Sequence, residues 1–357
     1  MSDAAPTLDY DVAGVIDVSS RDQLVDALRS DPGAPRRLIG SGSHQDRVPA
    51  PATTPTLIRT ASMNRIERLE AEDLTCSVQP GVTRAALDAA LAERGLWLPC
   101  PGAGTLAGMF AADLHAPLAP GALAPRSLLL GIEGVLAEGL AFKSGARVVK
   151  SVAGFDLQKL FVGSLGRLFA VTTLHLRLRP LPRAVVAFAA PGLDDDRALA
   201  LFTRSRQLAS PPLELWLQRD DQEYTVRGAL AGHADHVAAE LRSLQLQEAA
   251  DAGARSLGDV AARETVTGRV RPSHLPRLLA ALPVDAPLLV NGTGQFEVAM
   301  TPEQTDAMFS RCPEVPADLM VLRGAPGRRG LSTAPDPHAA RLDAKLREAM
   351  DPAGALQ

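Results

Sequence analysis

The sequence predicts an α+β chain in two parts, and three observations carry that reading. Over the first 180 residues, short strand-like runs alternate with short amphipathic helices. Pro180-Leu181-Pro182 stops that series, and a second alternating series follows it. A length of 357 residues suits two domains that each bury a core. The composition agrees: 46% hydrophobic and 22% charged residues are globular values, and 28 prolines with 29 glycines supply the turns.

The elements follow in order. Asp11–Val18 reads as a strand. Ser20 opens a helix with Gln23 as its capping-box partner and Leu24, Ala27 and Leu28 as its apolar stripe. Arg36–Ile39 returns as a strand and runs into Gly40-Ser41-Gly42-Ser43-His44. Thr56–Arg59 and Thr75–Gln79 are further strands, and Pro80-Gly81 turns the chain. Thr83 then caps a helix that buries Ala86, Leu87, Ala90 and Leu91 and ends at Gly95. A long loop rich in Gly, Ala and Pro occupies Pro99 to Arg126. Leu128–Leu136 is apolar enough for a strand buried on both faces. Asp156 starts a short helix through Phe161. Leu174, Leu176 and Leu178 alternate with His175, Arg177 and Arg179 as a half-buried strand.

Beyond Pro182, Asp194-Asp195-Asp196 marks a helix N-terminus, where carboxylates complement the macrodipole. Leu213–Gln218 and Glu223–Ala229 read as paired strands, and Ala234–Leu246 as a helix with Val237, Leu241 and Leu244 inward. Thr265–Arg271 and Leu288–Asn291 flank a helix at His274–Ala281. Asp336 caps a final helix, Pro337 to Met350, with Leu342, Leu346 and Met350 on one face.

Charge and composition remove several functions. A formal net charge of −4 gives nucleic acid no general attraction. No apolar run reaches the roughly 20 residues of a spanning helix. Met1 to Asp11 lacks the basic start and apolar stretch of a signal peptide, so a cytoplasmic protein without direct membrane insertion is expected. Cys76, Cys100 and Cys312 lie far apart with no C-x-x-C, which excludes Cys-ligated iron–sulfur clusters and zinc ribbons. Electron transfer would need an organic cofactor or a partner chain. His233 and His236 are three apart with no third ligand in view, and no metal is expected.

Small residues after a strand let backbone N–H groups converge on an anion without Cβ interference. Gly40-Ser41-Gly42-Ser43 fits that description but lacks the Gly-Lys-Ser/Thr of a P-loop, and Gln45 replaces the third glycine of G-x-G-x-x-G. The combination is more specific. Val78-Gln79-Pro80-Gly81-Val82 follows, then Gly104-Thr105-Leu106-Ala107-Gly108. Lys150-Ser151-Val152-Ala153-Gly154-Phe155-Asp156 comes next, then Gly163-Ser164-Leu165-Gly166 and a Leu-Arg-Pro-Leu-Pro strand exit.

This ordered set resembles the FAD-binding domain of the vanillyl-alcohol oxidase / p-cresol methylhydroxylase superfamily, and within it the FAD-binding subunits of bacterial glycolate oxidases. The resemblance covers most of the chain, including Leu98-Pro99-Cys100 and the Asp351-Pro352-Ala353-Gly354 tail. It implies a two-subdomain PCMH-type FAD-binding domain at 1–183, a smaller α+β cap domain at 184–334, and a C-terminal helix and tail, 335–357, that return to the FAD domain.

The resemblance also implies sites for a noncovalent FAD. Gly40, Ser41, Gly42, Ser43 and His44 would wrap the pyrophosphate through backbone amides. Pro80, Gly81, Val82, Gly104, Thr105, Leu106, Gly108, Ala153, Gly154 and Asp156 would line the dinucleotide, and Gly163, Ser164, Gly166, Ala170 and Val171 its adenine side. Relatives that carry flavin covalently on histidine have it at the position of Ser43, and the setting of Cys100 suggests an inert thiol. Departures are Ala107 and Phe169 where the family has glycine, Ser151 where Asn is common, Ile39 where Arg is common, and a tail lacking Phe-Asn-Pro-Gly. Lys150 and Arg147 would offset phosphate charge or serve as surface charges.

Oxidation of a 2-hydroxy acid needs a base near the hydroxyl and a cation for the carboxylate. His115 in the long loop is one lone candidate for that base; Arg269, Arg271 and His274 are the nearest grouping in the second part, and ordinary strand and cap charges explain them. The reading is therefore an FAD-binding subunit that relays electrons within a glycolate oxidase or dehydrogenase complex. Its partners would be a second, catalytic FAD-containing subunit and an iron–sulfur subunit, with membrane association reached only through a partner. The rivals are a stand-alone FAD oxidoreductase of a 2-hydroxy acid or alcohol, and a flavin-free scaffold subunit.

Overall fold

The computed structural model describes the chain outside residues 1–7, 9, 44, 46–48, 101, 114–123, 148–155, 221, 251–256, 258–262, 312–316, 326 and 334–336. His44, His115, Lys150, Ser151, Ala153, Gly154, Cys312 and Asp336 lie outside the described residues. Two compact units result: one takes in the described chain to residue 113, residues 124–181 and residues 337–357, and the other begins at Pro182.

The first unit opens with β1 (Gly14–Asp17), α1 (Arg21–Arg29), β2 (Arg36–Ile39) and β3 (Thr56–Arg59). The three strands form a parallel sheet in the order β1-β3-β2, a geometry that requires a crossover element such as α1. Ser20 Oγ accepts the Gln23 N–H, but Gln23 Oε1 takes the N–H of Ser19 at 2.8 Å, so the capping box closes one residue earlier than expected. Leu24 and Leu28 of α1 meet Ile58 of β3 in one small core.

The same unit continues with β4 (Ile66–Glu70), β5 (Thr75–Val78), α2 (Arg84–Ala92), β6 (Leu96–Trp97), α3 (Leu106–Ala112), the single turn α4 (Pro125–Leu128), β7 (Leu129–Val135) and β8 (Ala141–Gly145). A 3-10 turn at Leu157–Leu160, then β9 (Ala170–Arg177) and β10 (Arg179–Pro180), complete the series. The antiparallel sheet runs β4-β5-β9-β7-β8, and β6 pairs with β10. Val78, Ile132, Leu174 and Leu176 of this sheet pack on Leu87 and Leu91 of α2 and on Phe110 of α3. Thr83 caps α2 as expected, accepting the Ala86 N–H at 3.2 Å. Two expectations need correction. Leu128 belongs to α4, whose Pro125 is prearranged for a helical first turn. β9 is buried on both faces, with His175 6% exposed, because a polar row of Thr173, His175 and Ser77 fills its second side.

The second unit contains β11 (Ala184–Leu193), α5 (Asp195–Arg206), β12 (Glu214–Asp220), β13 (Glu223–Gly232), α6 (Ala234–Leu244), β14 (Glu264–Val270), α7 (Leu275–Ala281), β15 (Leu288–Asn291), β16 (Gln295–Met300), α8 (Pro302–Ser310) and β17 (Ala317–Arg323). One antiparallel sheet runs β11-β13-β12-β15-β16-β14-β17. Val237 and Leu241 of α6 and Leu278 of α7 pack on Leu217, Val226 and Val290 of that sheet. Asp194 caps α5 by accepting the Arg197 N–H at 2.9 Å.

The last helix, α9 (Pro337–Met350), belongs to the first unit. After it, the Arg36 N–H donates to the Ala355 carbonyl at 2.7 Å, and the Gln357 N–H donates to the Arg36 carbonyl at 2.8 Å. The final residues thus extend the edge of β2.

Candidate functional site

Within the first unit lies a cleft, open to solvent at its mouth. Four segments wall it: the end of β2 with the glycine loop, the Pro80 turn, the start of α3, and the stretch from Leu165 into β9. Of the residues expected at a dinucleotide, Gly40, Ser41, Gly42, Ser43, Pro80, Thr105, Gly108, Gly166, Ala170 and Val171 face this one space.

The remaining described candidates do not line it. Val82 and Leu106 are buried in the sheet–helix core. Gly81 packs against the backbone of Thr60 and Ala61, where a Cβ would stand 2.4 Å from the Thr60 carbonyl oxygen. Gly163 donates its N–H to Phe110, Ser164 Oγ accepts the Gly166 N–H, and Asp156 accepts from Gln158 Nε2 at 2.9 Å.

Two glycines are required by close approach. A Cβ on Gly40 would fall 1.9 Å from Thr105 Oγ1, and one on Gly104, at φ +80°, would fall 2.3 Å from Ser43 Oγ. The loop after β2 and the loop before α3 therefore touch backbone to side chain, which no larger residue permits. The result is a wall of main chain and small side chains, the kind of surface that lets amide donors reach a phosphate.

Sequence reasoning missed the charge at this wall. Arg37 is 4% exposed and lines the cleft two residues before Ile39, the position where the family commonly has arginine. Period-two alternation gives both residues the same side of β2, a signal that was present in the sequence. Gln45 Oε1 accepts from Arg37 Nε and from the Tyr10 hydroxyl, each at 2.8 Å, and the guanidinium carbon lies 5.3 Å from the Tyr10 ring centre. Beside Gly166, Arg167 is held below the ordinary arginine range first by burial and then by the charges of Arg347 and Arg37. Of these arginines, Arg37 places its charge at the cleft wall. Arg147 instead lies 3.8 Å from Glu133.

Phe169 lines the cleft yet is 1% exposed. Its ring meets Phe142 edge-on at 5.0 Å and stacks with Phe161 at 6.1 Å, so its bulk goes into the core. Ala107 also lines the space, a methyl larger than glycine. The glycine-forced loop contact and the Arg37 guanidinium suit an anionic group such as a pyrophosphate.

The titratable groups nearby have structural partners. Burial pushes the Cys100 thiol up to about 12, and the Cys76 thiol likewise to about 12, which keeps both protonated and unreactive. Arg84 donates to the carbonyls of Cys100 and Leu98 and pairs with Asp88 at 2.8 Å, fixing the segment before the second glycine loop. In the second unit, Arg269 is exposed on β14, and the His274 N–H donates to the Arg271 carbonyl in a 3-10 turn. His236 shares a hydrogen bond with Ser210 at 2.8 Å. Among the described residues no helix is long and apolar enough to cross a membrane.

Comparison with known proteins bears on this geometry. Residues 12–145 match the family model described as FAD binding domain. The chain is 38% identical over 130 residues to a probable mitochondrial D-lactate dehydrogenase of Danio rerio, covering 35% of this chain and 26% of that protein. It is 32% identical over 149 residues to glycolate oxidase subunit GlcD of Bacillus subtilis, covering 40% and 31%. With glycolate oxidase subunit GlcE of Escherichia coli the identity is 35% over 117 residues, covering 31% and 33%. These alignments span about a third or less of each relative's own length. Among solved structures, an alkyldihydroxyacetonephosphate synthase aligns with a TM-score of 0.70 over 96% of this chain and 75% of its own, at 12% identity, a likeness of fold. Residues 12–145 are thus similar to the FAD binding domain family, and the solved structure shares the fold.

Proposed function

We propose that this chain is the FAD-binding subunit of a glycolate-oxidase-type complex, an oxidoreductase assembly acting on a small 2-hydroxy acid. The cleft carries the reading: two mutually packed glycine loops and a buried, positioned Arg37 form a seat for an anionic dinucleotide. Similarity to glycolate oxidase subunits and D-lactate dehydrogenases supports the redox class and the substrate class.

In that role FAD supplies the two-electron chemistry, and the protein binds and orients it. Gly40–Ser43 offers backbone donors to the pyrophosphate, Arg37 offsets its charge, and Gln45 with Tyr10 holds Arg37 in place. The small side chains of Thr105–Gly108 and Ala170–Val171 leave room along the dinucleotide. We assign substrate oxidation to a second FAD-containing subunit and one-electron transfer to an iron–sulfur subunit, because this chain has three dispersed cysteines and no acid–base cluster singled out in its second part.

Purified alone, the chain should be yellow, with about one FAD per chain released by acid, and should reduce dyes only slowly with glycolate or lactate. Rapid turnover by the isolated chain would overturn the accessory role. Ala107 at the cleft favours one rival, a flavin-free scaffold; stoichiometric FAD would eliminate it.

A further inference from the structure

None of residues 355–357 lines the cleft, yet they pair with β2, which helps to wall it. They reach β2 by a tight reversal. The Asp351 N–H donates to the Arg347 carbonyl at 2.7 Å and ends α9, and Pro352 has no N–H to continue its ladder. The Gly354 N–H then donates to the Asp351 carbonyl at 2.9 Å, with Gly354 at φ +66°, a conformation that glycine adopts without strain. That turn delivers Leu356 alongside Arg36, running parallel to β2.

The strip is fastened at each residue. Beyond the two backbone bonds to Arg36, the Leu356 N–H donates to Asp351 Oδ2 at 2.7 Å. The Gln357 side chain meets Thr53 twice: Nε2 donates to Thr53 Oγ1 at 2.8 Å, and Oε1 accepts the Thr53 N–H at 3.3 Å. Ala355 and Leu356 are buried, and Leu356 joins the small core that holds Ile58 of β3 and Ala170. In the order β1-β3-β2, β2 has β3 as its one strand neighbour. Edge strands leave backbone groups unpaired, and weakly covered backbone opens most readily. The strip gives β2 a partner on its other side.

What β2 carries makes this matter. Arg37 follows Arg36 directly and lines the cleft with Leu38 and Ile39, and Gly40–Ser43 begin where β2 ends. We propose that residues 355–357 are positioning residues for the cofactor site: paired to Arg36, they hold β2 so that Arg37 and the glycine loop stand ready for the dinucleotide. This role rests on the reading of the cleft as an FAD site. The effect is preorganisation. If β2 without the strip keeps the binding arrangement for about a tenth of the time, the apparent Kd rises about tenfold although no ligand contact is removed. By linkage, bound FAD in turn holds the strip on β2.

The test is fluorescence titration with FAD of the full chain and of a chain lacking residues 355–357, at a temperature where circular dichroism shows both folded. The shortened chain should bind about tenfold more weakly. In an Arg37→Ala background the same deletion should cost clearly less, because the strip acts through β2 and its arginine. A strip that serves stability alone would not show that coupling. Hydrogen exchange of the full chain should find the Leu356 and Gln357 amides slower with FAD bound, while those of the second unit's sheet are unchanged. Should the shortened chain fail to fold, Gln357→Ala removes only the two bonds to Thr53 and should weaken FAD about threefold. No FAD binding by the unaltered chain would overturn the reading of the cleft and this role together. Tight binding by the unaltered chain with equal affinity in the folded variants, or with strip amides indifferent to FAD, would overturn this role alone.

Discussion

Ser77 and His175 face each other across β5 and β9, directly paired in the antiparallel register, with Ser77 Oγ 2.8 Å from His175 Nδ1. The pair is buried, and burial holds the imidazole below the ordinary histidine range. Arg147 and Lys143 push it the same way, while Glu133 opposes them.

This arrangement makes stability depend on pH in a definite direction. The unfolded chain takes up a proton on this histidine near its usual value of about 6.5, whereas the folded chain resists it. The contribution is therefore complete above that value and is lost as pH falls through it. Urea melts at pH 7.5 and 5.5 should show a larger loss for the unaltered chain than for His175→Gln, whose amide can still meet Ser77. Parallel losses would remove His175 from the explanation.

Gly40→Ala tests the contact between the two glycine loops. The new methyl would overlap Thr105 Oγ1, a clash worth about 1–3 kcal/mol. Flavin retention after gel filtration should drop, and adding Thr105→Gly should restore much of it. A double variant no better than the single one would show that crowding at Thr105 is not the cause.

Arg37→Ala should weaken FAD by about 10- to 100-fold, the range expected for losing a charge-assisted bond. The residual binding should respond less steeply to added salt. Fluorescence titration of the apoprotein at two ionic strengths reads both effects, and an unchanged Kd would separate Arg37 from the dinucleotide.

In the second unit, Arg328 holds the buried carboxylate of Glu264, with Nη2 3.1 Å from Oε2, and reaches Asp306 Oδ1 at 2.7 Å. Arg328→Ala strands that carboxylate and should cost about 3 kcal/mol. Replacing both partners together, Glu264→Leu with Arg328→Met, should cost much less, because no charge is then left buried. Chemical denaturation of the two variants beside the unaltered chain gives the comparison.

Local signals made much of the fold legible. The periodicity of Leu24, Ala27 and Leu28 behind the Ser20 cap gave α1, and Arg36–Ile39, Thr56–Arg59 and Pro337–Met350 appear with the expected bounds. β4 was illegible because Ile66–Glu70 is largely exposed and highly charged, and only its pairing with β5 makes it a strand. His175 looked like the solvent side of an alternating strand. Its burial depends on neighbours distant in sequence, Ser77 and Thr173 among them. At the cleft, the glycines announced themselves by spacing, whereas Arg37 did not. A single arginine on a short strand acquires meaning only when Gln45 and Tyr10 fix it against the glycine loop.

The hydrogen bonds that zip Ala355 and Gln357 onto Arg36 also impose an order on biosynthesis. β2 and its glycine loop leave the ribosome early, but their sheet edge waits for the far end of the chain. At about 5–20 residues per second, that interval is about 15–60 s. The sheet of the second unit, continuous from β11 to β17, is synthesised only shortly before then. The strip that completes the edge of β2 is thereby delivered late in translation.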